Sequence, residues 1–462
     1  GLGAGGAGGA ASVVTLSFAG GAAQVVTGAV TAAADGEGAI VVNNSTGGGS
    51  ADLTFSAAVG TSSKALKSFT LTQGEAKMDG DVFADTMSTA NGHAFDFNGN
   101  VTADTSITIG SRKQNTISGD LTAGSIVVSG AAGGLTFDGT GDQTITGAMT
   151  NATANWIDLT NNNTGGIVTI ASAVAVTGTK GGNLVHATGS QTVYQAGVHA
   201  QDFTLAGTAK VTLEAAMTLT DKLDTNDGAT GMTLTLGSAF INGTTAITAD
   251  NSEAALHQTA GAVTVNMNSK FVTGTMTLLD DATDTLDSTE VAAFVVTDTA
   301  LIDYTMAVSG GDLEITASAK SAAETAGELG ITSEAAAGLS SANTAAAGDD
   351  TVRNLMSAVL NTGGAAATEM ADQVQGTPAG LSATSGAATA STGGAVMSVG
   401  SARMASLRNG NAYASTQGAG FNAGSTSQNS SMWMKPFANF GDQGERKSIA
   451  GYDSDTYGLA LG

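Results

Sequence analysis

The densest group of residues able to hold a cation is an acidic run, Asp280, Asp281, Asp284, Asp287 and Glu290. Carboxylates at a turn suit Ca2+, which collects about six to eight oxygens. Neither an EF-hand loop nor a GGxGxDxUx repeat frames this run, so a solvated turn is expected, with weak Ca2+ binding as the sharper alternative. The four histidines, His93, His186, His199 and His257, are scattered without HExxH or paired spacing, and structural or surface roles are expected of them. Gly3-Ala4-Gly5-Gly6-Ala7-Gly8 satisfies GxGxxG with Asp35 downstream, but a dinucleotide loop needs a strand before it and a helix after it. Neither is read here. No GxSxG occurs, and no Ser/His/Asp set presents itself. The expectation is a protein with no catalytic residue and no cofactor.

The elements that would position these residues follow from composition. The 462 residues include 65 Gly, 2 Pro and no Cys, with only 12% charged. Low Pro together with 42% hydrophobic residues argues for a folded chain rather than a low-complexity tract. Thr, Ser, Asn and Gly must then keep the surface wet, as in an extracellular β-protein. The formal net charge of −24 opposes phosphate backbones, so nucleic acid is not expected as a partner. Residues 1–319 carry 29 of the 40 acidic residues and 9 of the 16 basic ones, so the acidity belongs to the first part. Absence of Cys excludes a disulfide framework and thiolate metal sites, and suits a chain exported unfolded through an oxidising compartment. The N-terminus lacks a basic region followed by an apolar one, so the expectation is that a signal peptide was removed or that the chain is a fragment.

From Val13 to Thr316 one theme recurs: four to six alternating β-branched or aromatic and small polar residues, then a Gly, Asn or Asp punctuation. Val13–Phe18, Ala51–Ser56, Ser68–Thr72, Ala94–Val101, Ser106–Ile109, Ser125–Val128, Gly134–Gly139, Gly166–Ile170, Lys210–Glu214, Met232–Gly237, Ala262–Val265 and Asp312–Ala317 each read as a short strand with one buried face. So long and monotonous a run exceeds a sandwich, and a stack of coils, about 20–30 residues each, accounts for it. Scarce Pro fits strands paired on both sides, and abundant Gly fits the corners. No fixed-length consensus is read. The expected fold is all-β, a right-handed parallel β-helix (β-solenoid), followed by an Ala-rich helical linker.

Near Ser318 the text becomes Ala-rich. Ser333–Gly348 is weakly helical, and a better helix is expected over 352–360 with Asp349 or Asp350 as N-cap and Gly363 as a stop. Thr368–Gly376 is a further short helix, and Leu381–Arg408 is a small-residue helix suited to a narrow polar tube. After a polar spacer, Tyr457, Leu459 and Leu461 alternate with Thr456, Gly458, Ala460 and Gly462, an apolar face against a small one. Trp433, Phe437, Phe440, Tyr452 and Tyr457 crowd together as in an interfacial girdle.

This C-terminal segment resembles the start of the translocator barrel of monomeric (type V) autotransporters. The residues that carry the resemblance are the Trp433–Phe437 strand, the Gly441-Asp442-Gln443 turn and the stretch Gly451-Tyr452-Asp453-Ser454-Asp455-Thr456-Tyr457-Gly458-Leu459-Ala460-Leu461-Gly462. The upstream order also matches: β-helix, a closing strand at Gly311–Ile315, an Ala-rich region, and a small-residue helix ending near Arg403 and Arg408. The resemblance implies four regions: residues 1–317 a β-solenoid passenger, 318–380 an Ala-rich partly helical closing region, 381–430 the linker helix and spacer, and 431–462 the first strands of a membrane β-barrel. A family barrel has about 12 strands, so the expectation is a chain cut short at both ends.

The resemblance further implies an outer-membrane location in a Gram-negative bacterium, with the passenger extracellular or at the cell surface. The implied partners of the barrel are outer-membrane lipid and the barrel-assembly machinery. Those of the passenger are host or bacterial surface ligands, or other copies of itself. A non-enzymatic adhesin, self-association or surface-layer role ranks first. A degradative passenger enzyme, a glycan or ester hydrolase on the same scaffold, is the alternative, and two carboxylates held about 5–10 Å apart in a groove would favour it.

Overall fold

A computed structural model describes residues 14–44, 52–110, 113–129, 133–151, 157–175, 182–225, 231–249, 256–258, 262–268, 270–281, 286, 292, 294–345, 421–423, 432–443 and 452–461. The chain divides into two compact units, Gly1–Asp298 with Ile302–Ala319, and Thr299–Leu301 with Lys320–Gly462.

The first unit is a parallel β-solenoid. Eleven short strands, from Gln24–Val26 to Leu256–Gln258, stack in sequence order as one parallel sheet. At about 4.8 Å per strand this column rises roughly 48 Å. Longer strands fill the rest of each coil, among them Leu66–Gln73, Val82–Thr89, Val101–Ile109 and Leu121–Val128. They bend in the middle, where the register shifts at Ala84/Thr86, Ala123/Ile126 and Thr122/Ser125. Above Gln143–Asn151 the bend becomes a break, because that strand pairs with two separate ones, Ile167–Ile170 and Val174–Ala175. Each coil thus has three sides throughout.

Alternation decides what lies inside. Phe55, Met78, Phe97, Ile117 and Phe137 follow one another in register and are almost wholly buried. A ladder of edge-on rings runs through Phe18, Phe55, Phe69 and Phe95, with centroids 5.3–5.5 Å apart.

The corners carry a repeat that the linear reading missed. Met78-Asp79-Gly80-Asp81-Val82, Phe97-Asn98-Gly99-Asn100-Val101 and Ile117-Ser118-Gly119-Asp120-Leu121 share one pattern: apolar, polar, Gly, Asp or Asn, aliphatic. The Gly is steric. A Cβ on Gly99 would sit 2.5 Å from the Gly80 carbonyl carbon, and one on Gly119 2.6 Å from the Gly99 oxygen. The following residue ties the coils together. Asp81 Oδ1 accepts from the Asn100 N–H at 2.9 Å, Asn100 Oδ1 from Asp120 at 2.9 Å, and Asp120 Oδ1 from Thr144 at 2.7 Å. The same corner divides Ala94–Val101, read above as one strand, into Ala94–Phe97 and the start of Val101–Ile109.

The parallel order ends in a hairpin. Ile302–Ser309 and Asp312–Ala319 pair antiparallel, and Asp312–Ala319 also lies antiparallel against Gly274–Asp281. Gly310 and Gly311, both at positive φ (68° and 105°), form the two-residue turn. The expected closing strand at Gly311–Ile315 is therefore present, and it covers a sheet edge that would otherwise invite further pairing.

In the second unit, α1 (Ala322–Leu329) starts on a capping box: Glu324 N–H donates to Ser321 Oγ, and Ser321 N–H to the Glu324 carboxylate. The Ser321-x-x-Glu324 spacing is the sequence signature of this cap. A second helix, α2, spans Ser333–Ala345, where weak helicity was expected. The helices expected over 352–360 and 368–376, and the linker helix from Leu381 to Arg408, lie outside the described residues. Phe421–Ala423, Met432–Gln443 and Tyr452–Leu461 form a three-stranded antiparallel sheet. Among the described residues no helix is long and apolar enough to cross a membrane, which does not bear on strands.

Candidate functional surface

The acidic run ends the strand Gly274–Asp281, where Asp280 and Asp281 lie in register with Thr248 and Ala249. Antiparallel pairing adds Asp312, whose Oδ1 accepts from the Asp281 N–H at 3.3 Å. Burial lifts the Asp280 carboxyl above the ordinary Asp value, and the charges of Asp312 and Asp281 add to the rise. Asp312 is thus the neighbour that sequence proximity did not reveal. Asp284, Asp287 and Glu290 lie outside the described residues, as does the glycine run Gly3–Gly8. Among the described residues, no three or more His, Cys, Asp or Glu are arranged to hold a metal ion.

The histidines divide by burial. His186 is an inward position of the strand Asn183–His186 and is 1% exposed. Its Nδ1 lies 3.1 Å from the Thr204 carbonyl oxygen and its Nε2 3.1 Å from the Tyr194 hydroxyl. A carbonyl only accepts, so Nδ1 carries the proton and Nε2 accepts from Tyr194. The Phe203 ring packs edge-on at 5.0 Å. Burial depresses the imidazole to about pH 4 and pushes the Tyr194 phenol above its ordinary value. This is a neutral core histidine with both nitrogens engaged. His93 Nδ1 accepts from the Gly74 N–H at 3.0 Å, His199 sits between Ala175 and Thr218 in its column, and His257 lies opposite Asp224.

Outward columns give the solenoid two kinds of face. One runs in register through Thr70, Ser88, Thr108, Val127, Thr150, Ala175, His199, Thr218 and Thr248 without a formal charge before it reaches Asp280. Hydroxyls are linked along it, as in Ser88 Oγ donating to Thr70 Oγ1 at 3.3 Å. The column of short strands carries Lys77, Asp96 and Asp224 among its threonines. A chain of formal charge −24 therefore keeps one long hydroxyl-rich strip neutral.

The barrel-motif residues fall in the C-terminal sheet. Tyr457, Leu459 and Leu461 oppose Ala438, Pro436 and Met434, whereas Phe437 opposes Gly458. With a period of two, Trp433 and Tyr452 take the parity of Phe437, and Phe440 that of Tyr457. The five aromatics thus occupy alternating register positions instead of a single row. Asp455 opposes Phe440. Gly441, Asp442 and Gln443, expected as a turn, continue the strand and pair with Ser454, Asp453 and Tyr452. Gly451 and Gly462 lie outside the described residues. Tyr457 is 68% exposed. No family model, curated protein or solved structure matches the chain.

Proposed function

We propose that the solenoid is the passenger of an autotransporter, carried to the surface of a Gram-negative bacterium by a barrel that begins at residues 431–462. It acts there without catalysis, as an adhesin, a self-associating rod or a surface-layer element. The observation that carries this reading is one chain combining a parallel β-solenoid, closed by an antiparallel hairpin, with a C-terminal antiparallel sheet in which Met434, Pro436 and Ala438 pair with Leu461, Leu459 and Tyr457. Over those three pairs that parity is apolar, whereas further along it Phe440 and Asp442 face Asp455 and Asp453; the other parity pairs Phe437, Asn439 and Gly441 with Gly458, Thr456 and Ser454. The alternation over these pairs is in keeping with a membrane barrel strand. The neutral hydroxyl-rich strip supplies a ligand-facing surface that long-range repulsion leaves accessible.

The partners of the barrel are outer-membrane lipid and the assembly machinery. Those of the passenger are surface ligands or other copies. Weak Ca2+ binding near Asp280 and Asp281 belongs to the same proposal and is checked by calorimetric titration, in which silence at millimolar Ca2+ rejects it. The main test expresses the full gene in bacteria and measures protease accessibility on intact cells, cell binding and clumping. Loss of binding or clumping on deletion of residues 13–316 supports the reading, and a solenoid that stays protected from external protease overturns it. Turnover of a glycan or ester panel by the isolated solenoid would move the assignment to a hydrolase.

A further inference from the structure

Parallel stacking forces equivalent positions of neighbouring coils to within about 4.8 Å of one another. Register sets Asp202 opposite Lys222 and Gln201 opposite Asp221, so Asp202 and Asp221 lie diagonally across two neighbouring coils. Asp202 begins Asp202–Leu205, and Asp221 and Lys222 precede Leu223–Thr225 in the next coil. The backbone fixes the match, with Asp221 N–H donating to the Gln201 carbonyl and Phe203 N–H to that of Lys222, both at 3.0 Å. The two carboxyl groups come into hydrogen-bond contact. Gln201 Nε2 reaches Asp221 Oδ2 from the side at 3.4 Å.

An ionised carboxylate only accepts, so two of them in contact need a proton between them. An independent observation points the same way. Asp202 Oδ1, Asn183 Oδ1 and Gln201 Oε1 are buried acceptor oxygens without a donor, and Asn183 is the register partner of Asp202 in the preceding coil. Buried acceptors left unpaired are costly, and a proton on Asp202 adds a donor where acceptors are in excess.

We propose that Asp202 and Asp221 share one proton, and that this proton clamps Asp202–Leu205 to Leu223–Thr225 in mildly acidic surroundings and is released as they turn neutral. The proton comes from solvent and returns to it. Burial is the main cause lifting the Asp202 carboxyl, to about 6, with the Asp221 charge adding and Lys222 opposing. Because the folded value is raised, the clamp is complete below the ordinary Asp range and is lost as pH rises through about 6. The other ionisable groups here are Asp158, one coil before Asn183, whose Oδ1 accepts from the Asn183 N–H at 3.0 Å, and Asp224 in the strand above. His186, at the far end of Asn183–His186, faces the core. Lys180 and Asp227 lie outside the described residues.

The test follows amide hydrogen exchange of the full chain, corrected for intrinsic pH dependence, in peptides covering 202–205 and 223–225. From pH 5 to pH 7.5 wild-type protection should fall by roughly tenfold or more relative to Asp202→Asn, which keeps a donor at both pH values. Asp221→Asn should flatten the pH response in the same peptides, and Lys222→Ala should move the wild-type midpoint upward. Carboxyl-carbon NMR, with Asp202 assigned by its disappearance in Asp202→Asn, should show a midpoint near 6. The same pH response in wild type and both Asn variants, or an Asp202 midpoint near the ordinary value, overturns the proposal. If Asp202→Asn fails to fold, Asp221→Asn and the NMR midpoint decide it.

Discussion

The lower and upper halves of the solenoid close the same three-sided coil in different ways. Between Leu66 and Asn151 the long strands are continuous, the inward positions are aromatic and aliphatic apart from Thr89, Asn115, Gln143 and Asn151, and the Gly-Asp/Asn corner recurs in near register. From Asn161 upward the long strands break in two, and polar groups enter the column that Ile117 and Phe137 occupy below. Asn161, His186 and Thr225 occupy positions equivalent to Phe137 and Ile117 below. Asn161 and His186 survive burial because they are paired, whereas Thr225 Oγ1 is buried without a hydrogen-bond partner. Asn161 Nδ2 donates to the Gln191 carbonyl and to Thr192 Oγ1, and Asn163 Nδ2 to the Gly141 carbonyl and Gln143 Oε1. Stacking requires one strand spacing and lets each half fill its interior by its own chemistry. The Phe55-to-Phe137 stretch of that column rests on packing, and the Asn161-to-His186 stretch above it on specific partners.

Truncating the packed half should cost most. Phe95→Ala removes a side chain 1% exposed that touches both Phe69 and Phe97, and a loss of about 3–5 kcal/mol in chemical denaturation is expected. The same coils also break at the corner. Gly99→Ala drives a Cβ into the Gly80 backbone, with an expected loss of about 1–3 kcal/mol, whereas Gly92→Ala, with nothing within 4 Å, should cost only the strain of its positive φ of 83°. Equal effects at the two glycines would remove the steric account of the corner.

The partnered half should respond to pH instead. His186 has a folded value depressed to about 4 against an ordinary 6.5, so its neutral form is the one the fold favours. That stability is complete above about pH 6.5 and is lost progressively as pH falls through 4, amounting to about 3 kcal/mol across the window. Melting from pH 7 to pH 4 should show this acid limb in wild type and a shallower one in His186→Gln. Wild type and variant with parallel limbs would mean that His186 is hydrated.

The strand alternation and the paucity of proline made the solenoid readable, because both reflect a backbone that must pair on two sides. Boundaries such as Asn98-Gly99-Asn100 were hidden since the punctuation looks like one more polar pair until the coils are superposed. The corner repeat was missed for the same reason: its Gly contacts a residue 19 or 20 positions away, and loops of unequal length elsewhere blur the period. Asp202 and Asp221 are likewise 19 positions apart, which no local motif search joins. Asp312 reached Asp281 only through the antiparallel reversal at Gly310-Gly311. The capping box at Ser321 is fully local and stands in the sequence as Ser321-x-x-Glu324.

The smallest expected effect separates corner bonding from surface charge. Asn100→Ala removes an acceptor that ties the Asp120 N–H to the coil below, while Lys67→Ala removes the partner of Asp85, an ion pair at 2.8 Å in which the lysine is 54% exposed. Both lie in the lower half, and both bonds link successive coils. The first should cost about 0.5–1.5 kcal/mol, since a backbone donor loses its protein partner. The second should cost less than the first, because solvent screens the pair and the long side chain regains its freedom. Added salt should erase the Lys67 effect and leave that of Asn100. Salt sensitivity at Asn100 would show that the corner is held by charge rather than by the repeated side-chain to backbone bond.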